Sequence, residues 1–138
     1  MSDLIAVAVG DELPPLDLPL TRSDVVRYSG ASTDFNPIHY NDRLARAIGL
    51  PGVVVHGMWT MGAALRIVTD WVGDPARVAS YFVRFVNPVP VPDDDEGTTV
   101  QVQAHVTGVS DGVATIAIEA THGTDKVLGA AKATVRLD

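Results

Sequence analysis

Asp34 and His39 lie five residues apart in the stretch STDFNPIHYND, residues 32–42, with Pro37 between them. At neutral pH a carboxylate with a reference pKa of about 3.9 is ionised, and an imidazole with one of about 6.5 is mostly neutral. Both can therefore accept a proton. Were the stretch helical, five steps of about 100° would set the two side chains about 140° apart around the axis, unable to act on one object. Pro37 argues against that geometry, because its ring disfavours the α region at Asn36. An irregular loop holding both side chains is the better expectation.

A second motif, VVVHGM at residues 53–58, places Gly57 at the start of an apolar helix. A first-turn N–H has no intrahelical partner, and the missing side chain lets a ligand atom approach it closely. The positive end of the helix dipole adds to the attraction for an anion. Two proton acceptors and an oxyanion donor are the parts needed to add water to, or remove it from, a carbon next to a thioester. No cofactor is required. The same residues also suit plain capping and turn roles, and spacing alone does not separate the two readings.

The elements that must position these residues follow from the rest of the chain. Its 138 residues fit one domain, 1–138, long enough to bury a core without staples, and with 46% hydrophobic and 20% charged residues it reads as folded. The absence of cysteine excludes disulfides, thiolate zinc sites and cysteine nucleophiles, and fits a cytoplasmic setting. MSDLIAVAVGDELPP has no basic leader or long apolar core of a signal peptide, and the apolar run 57–72 is too short and too charged to span a bilayer. A net charge of -7 with two lysines offers no extended basic face, so nucleic acid is not an expected partner. Arg22, Arg27, Arg43 and Arg46 do cluster in sequence around the Asp34–His39 stretch. At least two fit solvated helix faces; the rest would form a local patch for an anionic substrate or carrier.

Residues 6–20 read as a short strand or extended lead-in. Thr21 with Asp24 three positions on resembles a capping box and predicts a helix to about Gly30. Asn41 caps a second helix, ended by Gly49 and Pro51. Apolar residues spread around most of the 57–72 circumference predict one buried helix. From residue 77 the period becomes two, giving four long strands at 77–86, 98–109, 112–122 and 126–137, with turns at Ser110-Asp111-Gly112 and Gly123-Thr124-Asp125. Pro88, Pro90 and Pro92 with the acidic run 93–96 predict a long, exposed connection. One buried helix against a long, curved antiparallel sheet is an α+β arrangement, the hot-dog fold.

ASTDFNPIHYND followed by GLPGVVVHGMWTMG resembles the signature of MaoC-like (R)-specific enoyl-CoA hydratases and (3R)-hydroxyacyl-ACP dehydratases. VTDWVGDP and VRFVNPVPVPDD are similar in particular to the catalytic β subunit of the heterodimeric dehydratase of type II fatty-acid synthesis, and the likeness runs over residues 8–137. The resemblance implies a hydro-lyase acting on trans-2-enoyl and (3R)-hydroxyacyl thioesters of CoA or acyl carrier protein. It implies Asp34 and His39 as the catalytic pair, Gly57 as the oxyanion donor, and Asn36 and Pro37 as loop-shaping residues. Neither metal nor cofactor is expected. Some hydratases of this family carry a serine about eight residues after the glycine, where this chain has Leu65, so no role of that hydroxyl transfers. His56 reads as structural, satisfied by backbone, and His105 and His122 as strand residues without a function. Partners implied are a second identical subunit, or a related hot-dog subunit lacking the acid–base pair. Three alternatives stand beside this reading: a hot-dog thioesterase, a non-catalytic acyl-binding or partner subunit, and a metal triad of Asp34, His39 and His56 that would need His56 to turn into the loop.

Overall fold

The computed structural model describes residues 6–138, so part of the stretch read for a leader lies outside the described residues. In chain order the elements are β1 (Leu16–Leu20), α1 (Arg22–Ser32), α2 (Asp42–Ala47), α3 (Gly57–Ala64), α4 (Arg66–Val72), β2 (Val78–Phe85), β3 (Thr98–Ser110), β4 (Val113–His122) and β5 (Asp125–Arg136). Short 3-10 turns occupy Pro37–His39 and Pro75–Arg77.

Period-two alternation sends one side of each long strand indoors. In β3, Val100, Val102, Ala104 and Val106 are buried, while Gln101, Gln103, His105 and Thr107 between them face out. Ala114, Ile116, Ile118 and Ala120 do the same in β4. The β3–β4 hairpin closes through Asp111 and Gly112, with φ of 54° and 74°, the paired left-handed residues that a tight hairpin favours. Gly123, φ 61°, opens the next turn. The sheet is antiparallel throughout, in the order β1-β3-β4-β5-β2. Its inner face packs on Ala64, Ile67, Val68 and Val72 of α3 and α4, so the sheet curves around the central helix in the hot-dog arrangement.

The expected single helix over 57–72 is two. At Leu65, ψ -19°, the chain tightens, and the Val68 N–H donates to the Leu65 carbonyl three residues back, which interrupts the α ladder. Within the chain the apolar circumference is buried along one stripe, Thr60, Ala64, Ile67–Val68 and Val72, whereas Met58, Gly62, Arg66 and Asp70 at four-residue spacing are exposed. Helix α1 outlasts Gly30 by two residues, because a glycine inside a helix is tolerated and the Ser32 hydroxyl donates to the Tyr28 carbonyl at 2.7 Å. Its start is the capping box expected: the Asp24 carboxylate accepts from the Thr21 N–H at 2.8 Å.

The proline-rich connection is also less exposed than expected. Val89 and Val91 are buried and bridge to the segment before α3, with Val55 N–H donating to Val89 at 3.1 Å and Val91 N–H to Val53 at 2.9 Å. Proline brings no N–H to satisfy, so residues 88–92 can alternate proline outward with valine inward. Pro92 and the acidic residues 93–96 form a solvated loop, and residues 86–88 are exposed as well. On the opposite side, Ala130 at φ 48° marks a bulge in β5, where the register against β2 and β4 shifts. Val127, ahead of the bulge, lines the site described below. Among the described residues no helix is long and apolar enough to cross a membrane.

Behind the site, Arg22 joins four segments. Its guanidinium donates to both Asp42 oxygens at 2.9 and 3.1 Å and to the Val91 carbonyl at 2.6 Å, and Asp42 accepts the Val53 N–H at 2.9 Å. Gly52 leaves room, since a Cβ there would stand 3.0 Å from Asp42 Oδ1. Of the four arginines near the motif, Arg22 is therefore structural, while Arg27, Arg43 and Arg46 are exposed. The Val53 N–H, with Arg22 beside it, holds the Asp42 carboxyl below its ordinary pKa. A depressed carboxyl stabilises the fold above its unfolded pKa, and that contribution is lost as pH falls through the folded value. Asp42→Asn should therefore be less stable than wild type near neutrality by about 2 kcal/mol and should lose less stability on acidification. Thermal melts at about pH 7 and about pH 3 check this; parallel pH dependence in the two proteins would refute it.

Candidate active site

The motif loop is built from side chains bonding to nearby backbone. Thr33, at φ 61°, ends α1 in the left-handed region and turns the chain back. Asp34 Oδ1 accepts the Asn36 N–H at 3.1 Å, and Asn36 Oδ1 accepts the Ile38 N–H at 3.2 Å. Pro37 opens the 3-10 turn, where its fixed φ suits the first position and no N–H is lost. The turn carries His39 into the interior, 6% exposed, while Asp34 stays 52% exposed by side chain.

His39 Nδ1 lies 2.7 Å from the Val54 carbonyl oxygen. A carbonyl only accepts, so Nδ1 carries the hydrogen and, in the neutral ring, Nε2 is bare. That bare nitrogen stands 3.7 Å from Asp34 Oδ2. Two acceptors at this distance do not bond each other. They flank a place where a water or hydroxyl can donate to either or both.

Gly57 is the first residue of α3, with His56 as its N-cap. A Cβ on Gly57 would meet the ring of Phe85 at 3.0–3.3 Å, so any side chain here presses on Phe85. His56 is 2% exposed, and its ring stacks on that of His39 with centroids 3.6 Å apart and planes 20° apart. The backbone-satisfied reading of His56 holds for one nitrogen only: Nε2 lies 3.1 Å from the Asp34 carbonyl, whereas Nδ1 is buried without a hydrogen-bond partner among the described residues.

These residues line a cleft of about 410 Å³. Asp34, His39, His56, Thr60 and Asn87 are its polar lining, with Gly57, and Ile38, Leu50, Val54, Val55, Met58, Phe85, Val86, Pro88, Val89 and Val127 the apolar remainder. Asp34, His39 and Gly57 thus face one space. Asn36 and Pro37 lie in the turn that presents them, and Leu65 is not among the lining residues. Sequence reasoning missed Thr60, Phe85 and Asn87. Thr60 lies one turn after Gly57 and was legible from helical spacing; Phe85 and Asn87 arrive from the far end of β2, where no local signal points to the site.

Asp34, His39 and His56 each place a possible ligand atom within 4.8 Å of the others, with no rotation of His56. They suit one cation poorly. Near-parallel stacked rings direct their in-plane lone pairs side by side instead of toward one point, and His56 Nε2 is already engaged by the Asp34 carbonyl.

The family described as MaoC like domain matches residues 6–127. The chain is 39% identical over 83 residues to 3-hydroxyacyl-thioester dehydratase X of Mycobacterium tuberculosis, covering 59% of this chain and 29% of that protein. It is 32% identical over 110 residues to the 3-oxo-4,17-pregnadiene-20-carboxyl-CoA hydratase beta subunit of the same organism, covering 80% of this chain and 81% of the relative. A solved MaoC-like dehydratase superposes with a TM-score of 0.91 at 35% identity, over 96% of this chain and 41% of that one. In the ChsH1-ChsH2 complex of M. tuberculosis, a chain superposes with a TM-score of 0.81 at 26% identity over 95% of this chain and 99% of that one. The chain spans less than a third of the first of these relatives and nearly the whole of the last. With the match running through the Asp34–His39 loop, the Gly57 helix start and most of the sheet, the chain belongs to the MaoC-like family.

Proposed function

We propose that this chain catalyses reversible hydration of trans-2-enoyl thioesters to (3R)-hydroxyacyl thioesters, of CoA or acyl carrier protein, as a single catalytic domain. The observation that carries the reading is the pair of acceptors, His39 Nε2 and Asp34 Oδ2, 3.7 Å apart in the lining of a largely apolar cleft that Gly57 also lines. A water between the two acceptors gives up a proton as its oxygen bonds to C3. The electron pair of the C2–C3 double bond becomes the C1–C2 double bond of an enolate as the carbonyl pair moves onto the thioester oxygen, where the Gly57 N–H stabilises it. The proton then goes to C2 from the same side, and dehydration runs these steps backward. Hydro-lyase names among the relatives support the reading. So does the cleft, whose apolar walls suit an acyl chain. A cytoplasmic setting belongs to the same reading.

Following the fall in enoyl-thioester absorbance across short and long 2-enoyl-CoAs tests it, with (3R)- and (3S)-hydroxyacyl-CoAs for the reverse direction. Saturated acyl-CoAs serve as the thioesterase control. Hydrolysis of saturated thioesters with enoyl thioesters untouched would replace hydratase by thioesterase, and no reaction with either would leave an acyl-binding subunit.

The protein is also proposed to work as a pair of hot-dog subunits. Among the described residues strand β2 is an edge of the sheet, and it carries Phe82 and Phe85, with Val86 just past its end, each at least 50% exposed, beside exposed Met58. An apolar edge of this kind marks an interface. The isolated chain is expected to form a two-fold dimer, and a related subunit without the acid–base pair, as the ChsH1-ChsH2 complex illustrates for its own chains, is the physiological alternative. Light scattering at micromolar protein should give twice 14.6 kDa. Full activity from a monomer would overturn the paired-subunit reading.

A further inference from the structure

His56 is the buried titratable group that the mechanism above leaves without a task. Its Nε2 stands 3.1 Å from the backbone oxygen of Asp34 and 3.3 Å from Ser29 Oγ. Because the carbonyl can only accept, Nε2 carries the ring hydrogen and donates it. Burial is the largest influence on the ring and holds its pKa below the ordinary imidazole value, against the opposing pull of the Asp34 carbonyl. A neutral ring with its hydrogen on Nε2 leaves Nδ1 a bare acceptor, and Nδ1 is buried without a partner among the described residues.

A buried acceptor without a donor destabilises the fold, and a phenyl ring of similar outline would have no such atom. What a histidine adds over a phenyl ring at this position is its Nε2–H donor to the Asp34 carbonyl, which offsets that cost. What the imidazole does is hold the site together. Its face lies on the His39 ring at 3.6 Å, Tyr28 packs against it at 4.7 Å, and its own chain continues into Gly57.

We infer that His56 is a positioning residue for the acid–base pair: it fixes the Asp34 backbone through its Nε2–H donor, opposite the His39 ring on which it lies. The Asp34 carboxylate and His39 Nε2 are thereby kept on either side of the gap that receives the reacting oxygen. The inference rests on the hydratase reading above. A displacement of about 1 Å in either acceptor is enough to lower turnover by about a hundredfold, so the expected effect falls on kcat.

Three substitutions in the full chain test it. His56→Phe keeps the stacked ring and deletes the donor. His56→Gln keeps an amide N–H near the place of Nε2, whereas His56→Asn carries its N–H near the place of Nδ1, short of the Asp34 oxygen. The Phe and Asn variants should lose about 10- to 100-fold in kcat on a 2-enoyl-CoA with KM within about threefold of wild type, and Gln should return to within about fivefold. Should the Phe variant fail to fold, the Gln and Asn pair, alike in polarity and differing in reach, carries the comparison. Equal kcat in Gln and Asn overturns the inference, as does a folded Phe variant with normal turnover. Backbone 15N order parameters for residues 34–39 read the same positioning without turnover, and should fall in Phe and Asn and hold in Gln. Unchanged order in Asn overturns the inference whatever the activity. An inactive wild-type protein, in contrast, strikes only the hydratase reading.

Discussion

Asp34→Asn and His39→Gln should each lower turnover of a 2-enoyl thioester by at least about a hundredfold, the lower end for losing acid–base catalysis. Asp34 is half exposed, and its carboxylate makes one local bond, to the Asn36 N–H, so its amide isostere should leave the melting temperature nearly unchanged. His39 is different. It is buried and donates to the Val54 carbonyl at 2.7 Å, so His39→Gln also costs about 1 kcal/mol of stability. His39→Asn, whose amide can donate from the place of Nδ1, separates the two effects: it keeps that bond and removes Nε2. Either aspartate or histidine variant hydrating crotonyl-CoA within a fewfold of wild type, with an unchanged circular dichroism spectrum, would show that the proton is handled elsewhere.

Gly57→Pro should be folded and nearly inactive. His56 already has φ -61° and ψ 134°, the extended conformation required before proline, and the first helical position tolerates proline well. The substitution removes the proposed oxyanion donor, and losing one such donor lowers kcat by about 10²- to 10³-fold. Because any Cβ here presses on Phe85, Gly57→Ala is the necessary control: it shares the crowding and keeps the N–H. The Phe85 side chain is 56% exposed and can move aside, so Ala is expected to retain most activity. Equal losses in Ala and Pro would assign the effect to Phe85 and not to the amide. Normal turnover in a folded Pro variant would show that the thioester oxygen is held by another group.

Much of this was legible because it is local. Alternation in residues 98–136 fixed strands and inner faces, and the Asp111-Gly112 and Gly123 turns fixed their antiparallel order. The capping pairs Thr21–Asp24 and Asn41–Leu44 placed two helix starts. Errors arose where tertiary contacts override local pattern. The tightening at Leu65, the burial of Val89 and Val91, and the continuation of α1 past Gly30 have no periodic signature. At the site, the Asp34–Pro37–His39 spacing correctly pointed away from a regular α-helix. The stacking of His56 on His39 and the approach of Phe85 to Gly57 depend on segments 17 and 28 residues apart meeting in space, which no short motif encodes.

The two tight hairpins of β3, β4 and β5 have a consequence for the order in which the molecule assembles. Those strands pair with immediate neighbours, whereas the site is tied by contacts from His39 to Val54, 15 residues on, and from Arg22 to Val91, 69 residues on. Closing long loops loses chain entropy before any contact repays it, so local pairings form sooner. The meander should therefore nucleate, and the reaction centre should be the last part of the chain to condense. Pulse-labelled amide exchange during refolding would read this directly, with β4 amides protected before those of Val54, Val55 and Val91; simultaneous protection would refute it. A chain caught midway would hold most of its scaffold and none of its chemistry.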